Sequence, residues 1–88
     1  MPYIKQERRF EIGGHMGGFI NPQEVKCAGD IQYAIAELLN DYMKRLGNSY
    51  QTRNDVIGAL AGAQMEFYRK VVVPYEIDKE AENGGVYE

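Results

Sequence analysis

Two groups of side chains in this 88-residue chain carry chemistry at a readable spacing. Near the start, Tyr3, Lys5 and Arg8 stand beside Arg9 and Phe10. Further on, Asn54, Arg69 and Tyr75 flank a stretch crowded with glycine and alanine. Cations meet phosphates and aromatic rings stack on bases, so these six residues are the candidate contacts for a small phosphorylated or nucleotide-derived ligand. The alternative is plainer: helix capping, surface ion pairs such as Glu66 with Lys70 at i,i+4, and half-buried tyrosines. Glu7 and Glu11 dilute the basic patch at the start, and a solvated helix face accounts for it better than nucleic-acid binding does.

Catalytic machinery is not expected. General acid–base chemistry needs a positioned group with a tuned pKa, and the acidic residues fall at solvated helix positions. A nucleophilic Cys27 would need a base, and His15, in a glycine-rich stretch, is the single histidine on offer. A small partly buried cysteine and an exposed histidine are the simpler roles. One cysteine and one histidine cannot close a four-ligand zinc site, so no metal and no cofactor are expected. The sequence "GGHMGG" lacks the phosphate-cradling GxxxxGK[ST] pattern and does not join a strand to a helix.

The bulk numbers narrow the classes further. A chain of this length is one small domain, 1–88, and buries only about 60–65% of its unfolded surface, which leaves its core marginal. Small domains are rescued by disulfides, a metal or oligomerisation. With a single cysteine and no metal set, homo-oligomerisation is the remedy left. The net charge of −3 gives no basic face. No apolar run approaches the ~18–20 residues that cross a bilayer, so no membrane partner is expected. The charged start "MPYIKQERRF" does not read as a secretory signal, and with the lone cysteine it points to a reducing cytoplasm.

The elements that must position these residues read as all-α. A short N-terminal helix is expected over "PYIKQERRFEI", with Pro2 at its first position and Gly13–Gly14 ending it. "GGHMGGFINPQ", with four glycines and a proline, reads as a mobile loop spanning about 13–23, anchored by Phe19 and Ile20. From 30 to 46, apolar residues recur at three- and four-residue steps from Ile31 to Leu46. Asp30 is the expected N-cap and Gly47 the C′ residue. Thr52 with Asp55 matches a capping pattern that starts the next helix, which should run to Val72 or Val73 and break or kink at Pro74. A last helical segment follows to Gly84, and the tail 84–88 should dock through Val86 and Tyr87. The two central helices, joined by a short link, should form a long antiparallel hairpin.

On a helical wheel, Val56, Leu60, Phe67, Val71, Ile57, Tyr68, Ala61, Val72 and Met65 cover nearly half of the circumference. One partner needs a stripe of only about 100°, so the surplus implies a second neighbour, and another copy is expected to supply it. Gly58 and Gly62 break helix propensity by about 1 kcal/mol each. With Met65 they mark the expected oligomer interface, where another helix comes close. A ligand approaching beside Arg69 is the alternative use of the same small residues.

"MPYIKQERR", "YQTRNDVIGAL", "EFYRKVVVPYE" and "ENGGVYE" together resemble a family of small uncharacterised proteins of bacteria, phages and related mobile elements. The resemblance implies no activity and supplies no catalytic residues. In architecture alone the chain is similar to small phage proteins that sequester cyclic-nucleotide or NAD-derived defence signals with a short helix and a helical hairpin. That likeness would assign Tyr3, Lys5, Arg8 and Arg69 to phosphate and base contacts. The sequence thus leads to a non-enzymatic oligomeric binding module that takes a small ligand, or else a structural, protein-interaction chain that takes none.

Overall fold

The computed structural model describes residues 3–13 and 20–87, and among them every regular element is helical. The elements are α1 (Gln6–Ile12), a 3-10 turn (Pro22–Glu24), α2 (Ala28–Leu46), α3 (Tyr50–Phe67), a π turn (Tyr68–Val72) and α4 (Val73–Asn83). The chain divides into two compact units, Met1–Thr52 and Arg53–Glu88.

In the first unit α1 packs on α2 and on the 3-10 turn. Helix α1 begins at Gln6, after an extended Lys5, so Pro2 does not open it. It ends where expected. Gly13 takes φ 128°, which a side chain would resist, and its N–H returns to the Arg9 carbonyl at 3.2 Å. The Asn21 N–H donates to the Ile12 carbonyl at 2.6 Å, bringing the two ends of the glycine-rich segment together. The segment itself, with His15 and Phe19, lies at 14–19, outside the described residues. Its last part is ordered by local chemistry. Asn21 Oδ1 accepts the Gln23 N–H at 3.2 Å, and Pro22 pre-sets the 3-10 turn where a plain loop was expected.

Two expected caps move. Helix α2 starts at Ala28 with Cys27 as N-cap, which places Asp30 inside the first turn rather than before it. From there the carboxylate reaches back past the N-cap to accept the Lys26 N–H at 3.1 Å, one residue beyond the Cys27 N–H that a capping box uses. Helix α3 starts at Tyr50, so Thr52 is not its N-cap. Ser49 fills that role: its Oγ accepts the Thr52 N–H at 3.1 Å and lies 3.0 Å from the Thr52 hydroxyl. In both cases the cap lies three residues earlier than expected, and the expected cap takes the third helical position. Gly47, at φ 93°, closes α2 as expected.

At Pro74, where a break or kink was expected, the second unit has no break but a π turn in a continuous helix. Residues of α3, the π turn and α4 join in one helix of 34 residues. Proline offers no N–H to the carbonyl four residues back and its ring crowds that carbonyl. The helix accommodates this by widening: the Val73 N–H bonds five residues back to Tyr68, and Pro74 sits in the first turn of α4. One extra residue in the turn also rotates α4 about the helix axis. Tyr68 Oη therefore donates to Glu76 Oε1 at 2.9 Å, although eight residues of ordinary α-helix would leave them about 80° apart.

Little of this chain is buried. Among the described residues the buried hydrophobic side chains are Ile12 and Tyr33, both in the first unit. The tail does not dock: Val86 and Tyr87 are exposed, Tyr87 at 93%.

Candidate functional site

The densest polar constellation is built around Arg8, in the first unit. Helix α1 projects its guanidinium toward the 3-10 turn and the start of α2. Nη1 meets Glu24 Oε1 at 3.1 Å and also pairs with Glu11, while Nη2 meets Asp30 Oδ2 at 2.8 Å and the Glu24 backbone carbonyl. Asp30 is nearly fully buried, and Lys26 lies 3.8 Å from Glu24. The Arg8 guanidinium, and after it the Lys26 N–H, hold the Asp30 carboxyl below its usual range. Glu24 is lowered as well, mainly by Arg8. The same carboxylates push Arg8 further up, fixing it as a permanent cation. Chemically this is a clasp: a fork of donors holding three segments by their oxygens.

Beside it, Arg9 Nε donates to the Ile4 carbonyl at 3.0 Å and its guanidinium lies 5.6 Å from the centre of the Tyr33 ring. Tyr33 Oη donates to Glu37 at 2.7 Å, and burial, then Glu37, pushes its hydroxyl up to about 12. Such a tyrosine stays a donor at any physiological pH. Its part is packing α1 against α2 through a cation–π contact.

The six candidate ligand contacts do not form one cluster. Tyr3, Lys5 and Arg8 belong to the first unit, with Tyr3 and Lys5 exposed and Arg8 turned to its carboxylates. Asn54, Arg69 and Tyr75 belong to the second, spread along the long helix. Arg69 pairs with Glu66 at 2.8 Å instead of the Glu66–Lys70 pair expected from spacing. Tyr75 is exposed, with Lys79 Nζ 5.7 Å from the ring centre. The chain turns at Gly84, φ 87°, and an open groove of about 360 Å3 forms there between Tyr75, Lys79, Asn83 and the tail at Val86 and Tyr87.

The interface candidates Gly58, Gly62 and Met65 lie bare on α3. A methyl group added at either glycine would meet no atom of the described residues within 4 Å. Met65 is exposed, as are Ile57, Phe67, Tyr68, Val71 and Ile77 along the same helix.

Sequence reasoning missed the partners of Arg8, because Glu24 and Asp30 are 16 and 22 residues away and no local spacing links them. It also missed Tyr68–Glu76, whose eight-residue separation matches no α-helical pair until the π turn is known. Among the described residues no group of three or more His, Cys, Asp or Glu side chains is arranged to hold a metal ion. None of the described helices is long and apolar enough to cross a membrane.

Fold and surface together define a small all-α chain with an internal ionic clasp and a long, largely unpacked helix. It belongs to the family described as Domain of unknown function (DUF6899), whose model matches residues 1–86. No curated protein and no solved structure matches the chain.

Proposed function

We propose that this chain is a non-enzymatic helical module that works as a homo-oligomer, with the helix at 50–83 as its assembly face. The observation that supports it is the row of large apolar side chains left in water on that helix. Ile57 is 66% exposed, Phe67 61% and Met65 67%. Monomeric proteins seldom leave contiguous apolar surface of this kind open, because each buried CH2 contributes about 0.8 kcal/mol. A partner that covers the face supplies the core that the chain lacks. The mild acidity and the exposed single thiol, Cys27, fit a reducing cytoplasmic setting of bacterial or phage type.

The reading in which the module sequesters a small phosphorylated or nucleotide-derived ligand, as phage sponges of defence signals do, rests on the exposed rings of Tyr3 and Tyr75 and on Lys5. Arg8 and Arg69, the cations it would lean on most, already face carboxylates within the chain. The protein-interaction reading draws on the apolar face itself and is the better supported of the two.

Light scattering on the purified chain tests the proposal. The expected native mass is a multiple of the chain mass, 10.0 kDa, unchanged by a panel of cyclic nucleotides and NAD derivatives. A monomer at micromolar concentration overturns the assembly reading. A thermal shift with one nucleotide, lost in Arg69→Ala, moves the conclusion to the ligand reading.

A further inference from the structure

We infer that two copies of the chain pair antiparallel along residues 50–83, the acidic end of each helix lying against the start of its partner. This rests on the assembly reading above and adds its geometry.

The first ground is the apolar stripe. Val56 and Phe67, Ile57 and Tyr68, Leu60 and Val71, and Ala61 and Val72 are four pairs spaced by 11 residues. An 11-residue repeat completes three turns at about 3.67 residues per turn, so Val56 and Phe67 lie almost in line, while the other three pairs end inside the π turn at Tyr68–Val72. Further on, the π turn rotates Tyr75 back toward the line of Val56, Leu60 and Phe67. Thirty-four residues at ~1.5 Å each make a face about 50 Å long. A face of that length fits a partner of equal length, and a second copy of the same helix is one.

The second ground is charge, and it selects the direction. Residues 74–83 carry Glu76, Asp78, Glu80 and Glu82 against Lys79 alone, whereas residues 50–59 carry Arg53 and Asp55. A parallel in-register pair would set the acidic ends side by side at the 8–10 Å separation of packed helices, with both macrodipoles aligned. An antiparallel pair brings each acidic end to the positive N-terminal end of its partner. Centred on the midpoint of the helix, between Glu66 and Phe67, the pairing puts Glu80 level with Arg53, Val72 level with Ala61 and Tyr68 level with Met65. One opposite-charge pair thus meets near each rim, Glu80 with Arg53, beside Asp78 level with Asp55, and apolar residues meet at Val72–Ala61 and Tyr68–Met65.

Spin labels read the direction. In a Cys27→Ser background, Asn54→Cys carries one label and Ala81→Cys the other; both positions are exposed on the helix. The antiparallel pair separates two Asn54→Cys labels by about 38 Å along the axis and brings Asn54→Cys and Ala81→Cys labels on mixed copies within about 20 Å. Circular dichroism checks that each labelled chain keeps its helix. A short distance between two Asn54→Cys labels in an intact oligomer overturns the antiparallel pairing and leaves the assembly reading standing. A monomeric mass overturns both. As a second measure, Glu80→Arg should weaken association about tenfold at low salt, and adding Arg53→Glu should restore it. Equal association in the wild-type and Glu80→Arg chains overturns the register.

Discussion

The two units solve the problem of small size in opposite ways. The first, Met1–Thr52, draws short elements together with specific polar contacts around Ile12: the Arg8 clasp, the Arg9–Tyr33 stack, and the Asn21 N–H closing on Ile12. The second, Arg53–Glu88, satisfies its backbone inside one continuous helix and leaves its apolar side chains outside. Internal hydrogen bonding makes a helix, but in water only tertiary packing of its apolar face makes a long one stable. The first unit therefore carries its own reasons to hold together, and the second is the one for which we propose a partner.

Substitution of the buried centre should have the largest effect. Ile12→Ala removes a fully buried side chain from the first unit and should cost about 2–5 kcal/mol, read as a fall in the urea midpoint. A loss below ~1 kcal/mol would mean that the clasp, rather than burial, holds that unit. Next, Ile57→Asp with Phe67→Asp places charges on the exposed face. Light scattering should then show loss of the oligomer, while melting of the first unit, followed by exchange of its amides, stays close to wild type. Unchanged mass would erase the contrast between the units.

Acid should act on the clasp. Glu24 and Asp30 have folded pKa values lowered from their ordinary ones, so the stability they contribute is full above about pH 5 and is lost as pH falls through the carboxylate range toward those folded values. Protection of α1 amides should decline across that window in the wild type and be both weaker and flatter with pH in Arg8→Ala. An equally steep decline in that variant would assign the acid sensitivity to other groups. The smallest effect expected is a gain. Gly58→Ala and Gly62→Ala meet open space and should each raise helix stability by about 1 kcal/mol in thermal melts. If they also weaken association, the glycines are where the partner helix comes close.

Much of the fold was legible because its signals are local. The α2 periodicity, Gly13, Gly47 and Gly84 as helix ends, and the start of α4 near Pro74 all depend on residues within a turn of one another. The caps at Cys27 and Ser49 were not expected, because Asp30 and Thr52 are capping residues by type and only the folded chain shows that each fills the third helical position. The expectation of a break or kink at Pro74 rests on proline disfavouring the α region for the residue before it. The helix survived by bonding one residue further back, a solution that no propensity encodes. For the candidate site, chemistry was legible and grouping was not. Arg8 stood out as a phosphate contact by type, yet the folding of α1 onto α2 turns it to Asp30 and Glu24.

By itself, then, the sequence determined the all-α class, most of the helix ends and the wide apolar arc from Val56 to Val72, since these follow from the 3.6-residue period and from single-residue backbone preferences. Tertiary structure alone decided that Arg8 is a clasp, and the π turn that Tyr68 and Glu76 share a face. Each of these depends on which segments meet across 16 or 22 residues, or on one extra residue in a turn, and such distances carry no local signature.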